Sequence, residues 1–415
     1  MVNQNRRNQK PIECRGRWHF LEGESGEEVQ RKAYAVECID QFWREFRDSE
    51  LCAPGADVAL YREKCAQWMI EHFPLAEPSL EWEITYGDEC RSQLSICLGQ
   101  RGSYSHWRLV ETFVARAGEF DGWEIVAGRL PVSLEQCNIS TVFESRLRMK
   151  LPPFGFEVSV ETDCSITVKL FSPAFTSSDF EDDLALPLYL CEILLGEYAA
   201  THWVVRNEVA FQLIDEVGFD YNANAKELKK CIDEHVERVK NKINDPPLAL
   251  WSDKYPLALM EITAQNPSQL APRRRQRLSV LTYWPELIAG LVPPAMFFSD
   301  RFVKNGGKLA YLHVVNVEEE LSQEFREKLE DEIIEALAIA NAGCMVATGR
   351  GDPEAYYYDV CLTNPQEAIV ALTQVFQRHA LPKTSWLRFY DYHWADEWVR
   401  MYPDSPVLDN PEQVW

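Results

Sequence analysis

The sequence predicts an α+β protein, and three observations lead there. Apolar and polar residues alternate in short runs, as at Leu80, Trp82, Ile84 and Tyr86. Other stretches carry apolar residues four apart, most plainly Leu321, Phe325, Leu329, Ile333 and Leu337. After Leu309 the two patterns follow one another as strand, helix, strand, strand, helix, strand.

Residues 1–20 read as a polar tail, and residues 21–245 as a helical hairpin followed by an α+β module. The first helix runs from Ser25 to Arg47, with Ser25 and Glu28 forming a capping box. Its apolar face is expected to be Val29, Ala33, Val36, Trp43 and Phe46. A second helix spans Asp57–His72, with Val58, Tyr61, Cys65, Trp68 and Met69 inward. Leu80–Tyr86 and Leu94–Leu98 form a hairpin across Gly87-Asp88. A helix at Ser105–Ala117 stops at Gly118. The strand Gly122–Gly128 echoes Glu81–Gly87, too briefly to establish a repeat. A second hairpin pairs Phe156–Val160 with Ile166–Leu170, then come a buried helix, Leu184–Tyr198, and a polar helix, Ala225–Lys242.

Asp245-Pro246-Pro247 marks the expected main boundary. Residues 246–308 are a Pro-rich, mildly basic connecting segment holding one strand, Leu278–Tyr283. The last module is residues 309–415. It reads as a strand at Leu309–Val317, a helix at Glu318–Asn341, a hairpin of Cys344–Thr348 with Ala355–Leu362, a helix capped by Asn364, and a strand at Trp386–Asp391. Pro365 at the first helical position and Glu367 complete that cap. A short helix, Trp394–Met401, follows. The βαββαβ order is that of the ferredoxin-like arrangement.

The formal net charge is −23. From Leu309 onward seven Lys and Arg face nineteen Asp and Glu, whereas Asn241–Lys308 carries nine against five. Such a surface repels phosphate backbones and anionic membranes, and favours basic protein partners. Nucleic acid is therefore disfavoured as a partner. The most apolar stretch, Leu184–Val205, is interrupted by Glu192 and Glu197, which argues for a buried helix and against a membrane span. With no apolar leader after Met1–Lys10, the expected compartment is the cytoplasm.

Twelve cysteines form no CxxC, and Cys97, Cys191 and Cys361 sit in apolar runs, so reduced structural thiols are expected. Asp220-Tyr-Asn222-Ala-Asn224 begins like a calcium loop but has Ala225 where Gly is needed and Cys231 where the bidentate Glu is needed. It reads as a turn before a helix. Arg273–Arg277 is a basic cluster expected to be a solvated loop, and Arg350-Gly-Asp352 is explained by turn chemistry. No phosphate loop, dinucleotide fingerprint, nucleophile elbow or His-Glu-x-x-His occurs. His202, five residues after Glu197, is read as a satisfied, partly buried histidine, with a proton-transfer role as the alternative. No cofactor or metal is expected.

The runs Leu329-Glu-Asp-Glu-Ile333, Ala355-Tyr-Tyr-Tyr-Asp359, Tyr390-Asp-Tyr-His-Trp394 and Arg400-Met-Tyr-Pro403, with Gly122-Trp-Glu-Ile-Val126 and Leu195-Gly-Glu197, resemble the bacterial domain of unknown function 695. These motifs fall across most of residues 80–403. The C-terminal part is similar to the ferredoxin-like regulators that inhibit ribonuclease E. The resemblance implies a fold and a regulatory role and supplies no catalytic residue. The helices of residues 25–73 depart from its pattern.

In a ferredoxin-like module helices cover one sheet face. Alternation then assigns Tyr357, Asp359, Arg388 and Tyr390, with His313, to the other face, expected open as a binding surface. The alternative is that this face packs against the rest of the chain. The sequence favours a non-catalytic interaction or regulatory protein. An enzyme with a hydrolase-like site assembled from dispersed His and carboxylates is the second reading, and an RNA-binding module that stacks bases on the aromatics is the third.

Overall fold

The computed structural model describes residues 26–52, 58–73, 80–86, 92–98, 106–120, 122–161, 164–175, 180–214, 218–243, 258–261, 277–282, 296–304, 306–315, 323–351, 355–394 and 398–406. The Ser25 cap, most of the Arg273–Arg277 cluster and the start of the helix expected at Glu318 lie outside them. The fold is α+β, with three sheets among the described residues. The chain forms two compact units and passes from one to the other at Leu130–Pro131.

The first unit holds helices α1 (Gly26–Arg47), α2 (Val58–His72) and α3 (Trp107–Ala115), and strands β1 (Leu80–Tyr86), β2 (Ser92–Leu98) and β3 (Trp123–Ala127). β1 and β2 are the expected antiparallel hairpin. β3 lies parallel to β2, so α3 is the crossover that a parallel pair requires. The buried stripe of α1 is Ala35, Ile39, Phe42, Trp43 and Phe46. Of the expected stripe Trp43 and Phe46 are buried, whereas Ala33 is exposed and Val36 only half-buried. The bulky Phe42-Trp43 step sets the phase, because both rings must reach the core. Trp43 packs edge-on to Phe113 at 5.3 Å and donates its indole N–H to the Phe113 carbonyl at 2.8 Å. A buried Trp needs such an acceptor.

In the second unit, α4 (Ile139–Leu147) precedes a sheet of β4 (Gly155–Val160), β5 (Ile166–Ser172) and β6 (Val204–Phe211). The topology repeats that of the first sheet: an antiparallel hairpin, a helical crossover, and a third strand parallel to the second. The crossover is α5 (Phe180–Leu195) and α6 (Glu197–Trp203). The single helix expected at Leu184–Tyr198 is divided because Gly196 takes φ 84°, which ends one helix and starts the next. α7 (Tyr221–Lys242) is capped by Asp220, which accepts from Ala223 N–H at 3.0 Å. The failed calcium-loop start is thus a helix cap.

The remaining strands are β7 (Ala258–Glu261), β8 (Arg277–Thr282), β9 (Lys308–Val315), β10 (Gly343–Gly351), β11 (Ala355–Leu362), β12 (Trp386–Phe389) and β13 (Trp398–Arg400). They form one sheet in the order β13-β12-β9-β11-β10-β8-β7, antiparallel at each pairing. Helices α8 (Gln323–Ile339) and α9 (Pro365–Arg378) cover one face, burying Leu329, Ile333, Leu337, Leu372 and Phe376 against Leu312, Val314, Tyr358 and Leu387. Asn364 caps α9 as expected, accepting from Glu367 N–H.

The helix expected at Trp394–Met401 is not formed. A 3-10 turn at Tyr392–Trp394 leads instead to β13. Val399 and Met401 enter the helix-covered core. Their spacing of two is that of a strand. The expected boundary near residues 245–308 falls inside the second unit. Its described parts join the C-terminal strands, since β8 pairs with β10 and β7 with β8.

Candidate functional site

Alternation places the five residues singled out from the sequence on one face of the large sheet. Tyr357 lies opposite His313, Asp359 opposite Tyr311, and Arg388 opposite Tyr311 from the other side. The face is not open, which corrects the expectation. Tyr357 and Asp359 are 1% exposed, Tyr390 6% and His313 8%. Phe297, Phe302 and Val303 pack on it with Val280, Cys344 and Cys361. The physical cause is the aromatic content of the face itself: exposed, it would leave a large apolar patch in water. The buried carboxylate of Asp359 is compensated by Tyr390, whose hydroxyl donates to Oδ1 at 2.5 Å. Arg388 is only half-buried and lies at the rim.

Beside this covered face the second unit gathers a polar network. It is assembled from α6, from Ser299–Arg301, from the start of β9 and from the turn after β12. Asp300 is its hub. His202 Nδ1 lies 3.0 Å from Asp300 Oδ2, and the Tyr198 hydroxyl donates to the same oxygen at 2.7 Å. Lys308 Nζ stands between two carboxylates, 3.9 Å from Asp300 and 3.7 Å from Asp391. Asp391 is fully buried and accepts the Ser299 backbone N–H at 2.9 Å and the Ser299 hydroxyl. Arg301 donates from Nε to the His202 carbonyl at 2.7 Å. His202 stacks on Phe298 at 4.2 Å, and its ring lies 5.1 Å from that of His393.

Charge states follow from these contacts. Burial pushes His202 below its ordinary value, against the opposing pull of Asp300, so it is neutral near pH 7. Burial alone would raise Asp300. The hydrogen bond from His202, the Lys308 charge and the Tyr198 hydroxyl outweigh it and hold the carboxyl well below the usual range. Neutral His202 then donates from Nδ1 to an ionised Asp300. A carboxylate on one imidazole nitrogen is the arrangement that orients a catalytic histidine. The other half of that arrangement is not formed. Among the described residues the His202 ring hydrogen-bonds only to Asp300. The nearby hydroxyl of Ser299 is directed to Asp391 and accepts from the Leu309 N–H at 2.9 Å.

Sequence reasoning noticed His202 but not its partners. Asp300 is 98 residues away and Asp391 lies 92 residues from Ser299, so no spacing motif could link them. Among the described residues, no group of three or more His, Cys, Asp and Glu side chains is placed to hold a metal. None of the helices there is long and apolar enough to cross a membrane. An open groove of about 780 Å³ runs between Val132–Glu135 and α7, where Lys229 pairs with Asp233 at 2.8 Å and Lys230 with Glu227 at 3.7 Å.

Against protein-family models, curated proteins and solved structures, the chain has no match.

Proposed function

We propose that this chain is a non-catalytic protein-interaction or regulatory protein acting in the cytoplasm. We also propose that it is akin to the domain of unknown function 695 proteins it resembles, with a ferredoxin-like C-terminal module. Support for the module comes from its strand order: β12-β9-β11-β10 places the fourth, first, third and second strands of the βαββαβ unit side by side. The observation that carries the functional reading is how the groups fit for chemistry are used. Asp391 is saturated by Ser299 and Lys308, and Asp300 by His202, Tyr198 and Lys308. Groups so engaged tie α6 to the large sheet rather than stand ready for a substrate.

The enzyme reading keeps one favourable feature. Asp300 remains 24% exposed at the edge of the network, so solvent reaches its carboxylate. A panel of ester, phosphoester and peptide substrates, run on wild type and on His202→Ala, separates the two readings. The interaction reading expects no turnover above the variant's. Turnover that disappears in His202→Ala while the fold persists would establish a hydrolytic site instead.

A further inference from the structure

At the rim of the large sheet, side chains of β9, β12 and β13 on the face away from α8 and α9 make a small cationic patch on a strongly acidic protein. Trp386 is its centre. His313 lies opposite Trp386 on β9 and stacks on it at 4.0 Å with an interplanar angle of 16°. Arg400 lies opposite Trp386 on β13. Arg388 is two residues along the same strand face, and its guanidinium sits 5.7 Å from the Trp386 ring centroid. Leu387, Val399 and Met401 point the other way, into the helix-covered core, which fixes the direction of Trp386, Arg388 and Arg400. All three of those side chains are half-buried, so part of each reaches solvent.

Arg388 is the informative member. The protein carries 65 acidic residues, yet Arg388 forms no salt bridge with any of them among the described residues. Its Nε is shielded from solvent and has no hydrogen-bond partner there. A shielded guanidinium donor without an acceptor carries a desolvation cost. An oxyanion reaching the solvent-facing part of this guanidinium would give the cation the partner it lacks through N–H···O bonds. The neighbouring indole offers a flat apolar wall to whatever chain bears the anion.

We infer that Arg388, with Trp386 and Arg400 beside it, forms a docking site for a partner peptide that carries a single Asp or Glu anchor in neutral or basic surroundings. The anchor complements Arg388 locally. The surroundings complement the net charge of −23, which would repel a polyanion. The inference deepens the interaction reading and rests on it. A hydrolytic activity lost in His202→Ala would sink that reading without affecting the binding titration below.

The probe is a fluorophore-labelled octapeptide with a central Glu flanked by Gly and Lys, read by fluorescence anisotropy against the full chain. Its companion has Gln in place of the Glu, and a third probe is an RNA octamer. Saturable binding of the Glu peptide that weakens about tenfold for the Gln peptide and about tenfold in Arg388→Gln is expected. Arg388→Lys keeps the charge, loses the fork, and should fall between. Thermal unfolding of both variants serves as the folding control; if Arg388→Gln unfolds, Arg388→Lys carries the comparison. Equal binding of the Glu and Gln peptides, indifference to Arg388 in a folded variant, or tighter binding of the RNA at physiological salt would each overturn the proposal.

Discussion

Ser299 and Asp391, 92 residues apart, hold one another in the interior of the second unit: the Ser299 N–H meets Oδ1 at 2.9 Å and its hydroxyl donates to Oδ2. The same hydroxyl accepts the Leu309 N–H at 2.9 Å, so one side chain fixes the start of β9 and the turn after β12 together. Ser299→Ala strips a donor from a buried carboxylate and an acceptor from a backbone amide. The expected loss is about 1–3 kcal/mol, visible as a lowered urea midpoint at an unchanged slope. A midpoint within error of wild type would mean that water replaces the hydroxyl without penalty.

Tyr357 and Arg388 share a sheet face but should answer differently to truncation. Tyr357 is wrapped by Tyr311 at 5.9 Å and His313 at 5.1 Å and is 1% exposed. Tyr357→Ala leaves a cavity and should cost about 3–5 kcal/mol of stability. Arg388→Gln at the rim should cost under about 1 kcal/mol. Denaturant unfolding of the two proteins side by side checks the order, and comparable losses would mean that Arg388 is core.

The contrast shows what the sequence could and could not carry. Period-two runs such as Leu80–Tyr86 marked their strands, because each face meets a different environment. The same alternation put Tyr357, Asp359, Arg388, Tyr390 and His313 on one face. Whether that face was open depended on Phe297, Phe302 and Val303, a packing partner that no local pattern announces. β6 escaped notice because α6 runs into it at Trp203–Val204 without an intervening turn. α4 hides behind an unremarkable Asn138, which caps it by accepting from Ser140 N–H and Thr141 N–H. The Asp300–His202 pair is a long-range product of folding, legible only when α6 and the strand before β9 are seen together.

Dissection of the chain follows from the same packing. A fragment of residues 309–415 keeps β9 to β13 with α8 and α9, but it loses Phe297, Phe302 and Val303 from the aromatic face and β8 from the edge of β10. Beginning the fragment at residue 258 retains both. The shorter piece should bind a hydrophobic dye strongly and unfold at lower denaturant, and the longer piece should do neither to the same degree. Identical behaviour of the two would show that the cover contributes nothing.

The thiols divide by burial. Cys65, Cys97, Cys191, Cys344 and Cys361 are buried and Cys137 is exposed, and none of them is in a disulfide. Burial pushes Cys65 up to about 12, and Cys361 is raised by its hydrogen bond with Cys344 as well as by burial. The thiolate is the reactive form, so these groups should resist alkylation. Mass spectrometry after brief maleimide treatment at pH 7.5 should find Cys137 modified and those five untouched until urea is added. Rapid native modification of Cys344 or Cys361 would mean that the sheet face opens on that timescale.

Glu330 gives the clearest pH dependence. It sits on α8, half-buried, and its carboxyl is pushed up to about 7 by burial first, then by Asp331 and Glu327. Its unfolded value is the ordinary 4.5. The folded state therefore binds a proton more readily, and the stability linked to this group is complete below about pH 4.5. That contribution is lost as pH rises through about 7, where the carboxylate must ionise in place. Glu330→Gln keeps the neutral shape and never ionises. The variant should match wild type near pH 4.5 and exceed it by about 1–3 kcal/mol at pH 8, with the difference growing between those limits. His202 acts in the opposite sense: burial lowers it, so its contribution is present above about 6.5 and is lost on acidification. Because both proteins retain His202, its effect cancels in the difference between them. Urea unfolding at five pH values measures that difference, and a gap independent of pH would show that Glu330 ionises freely in the folded protein.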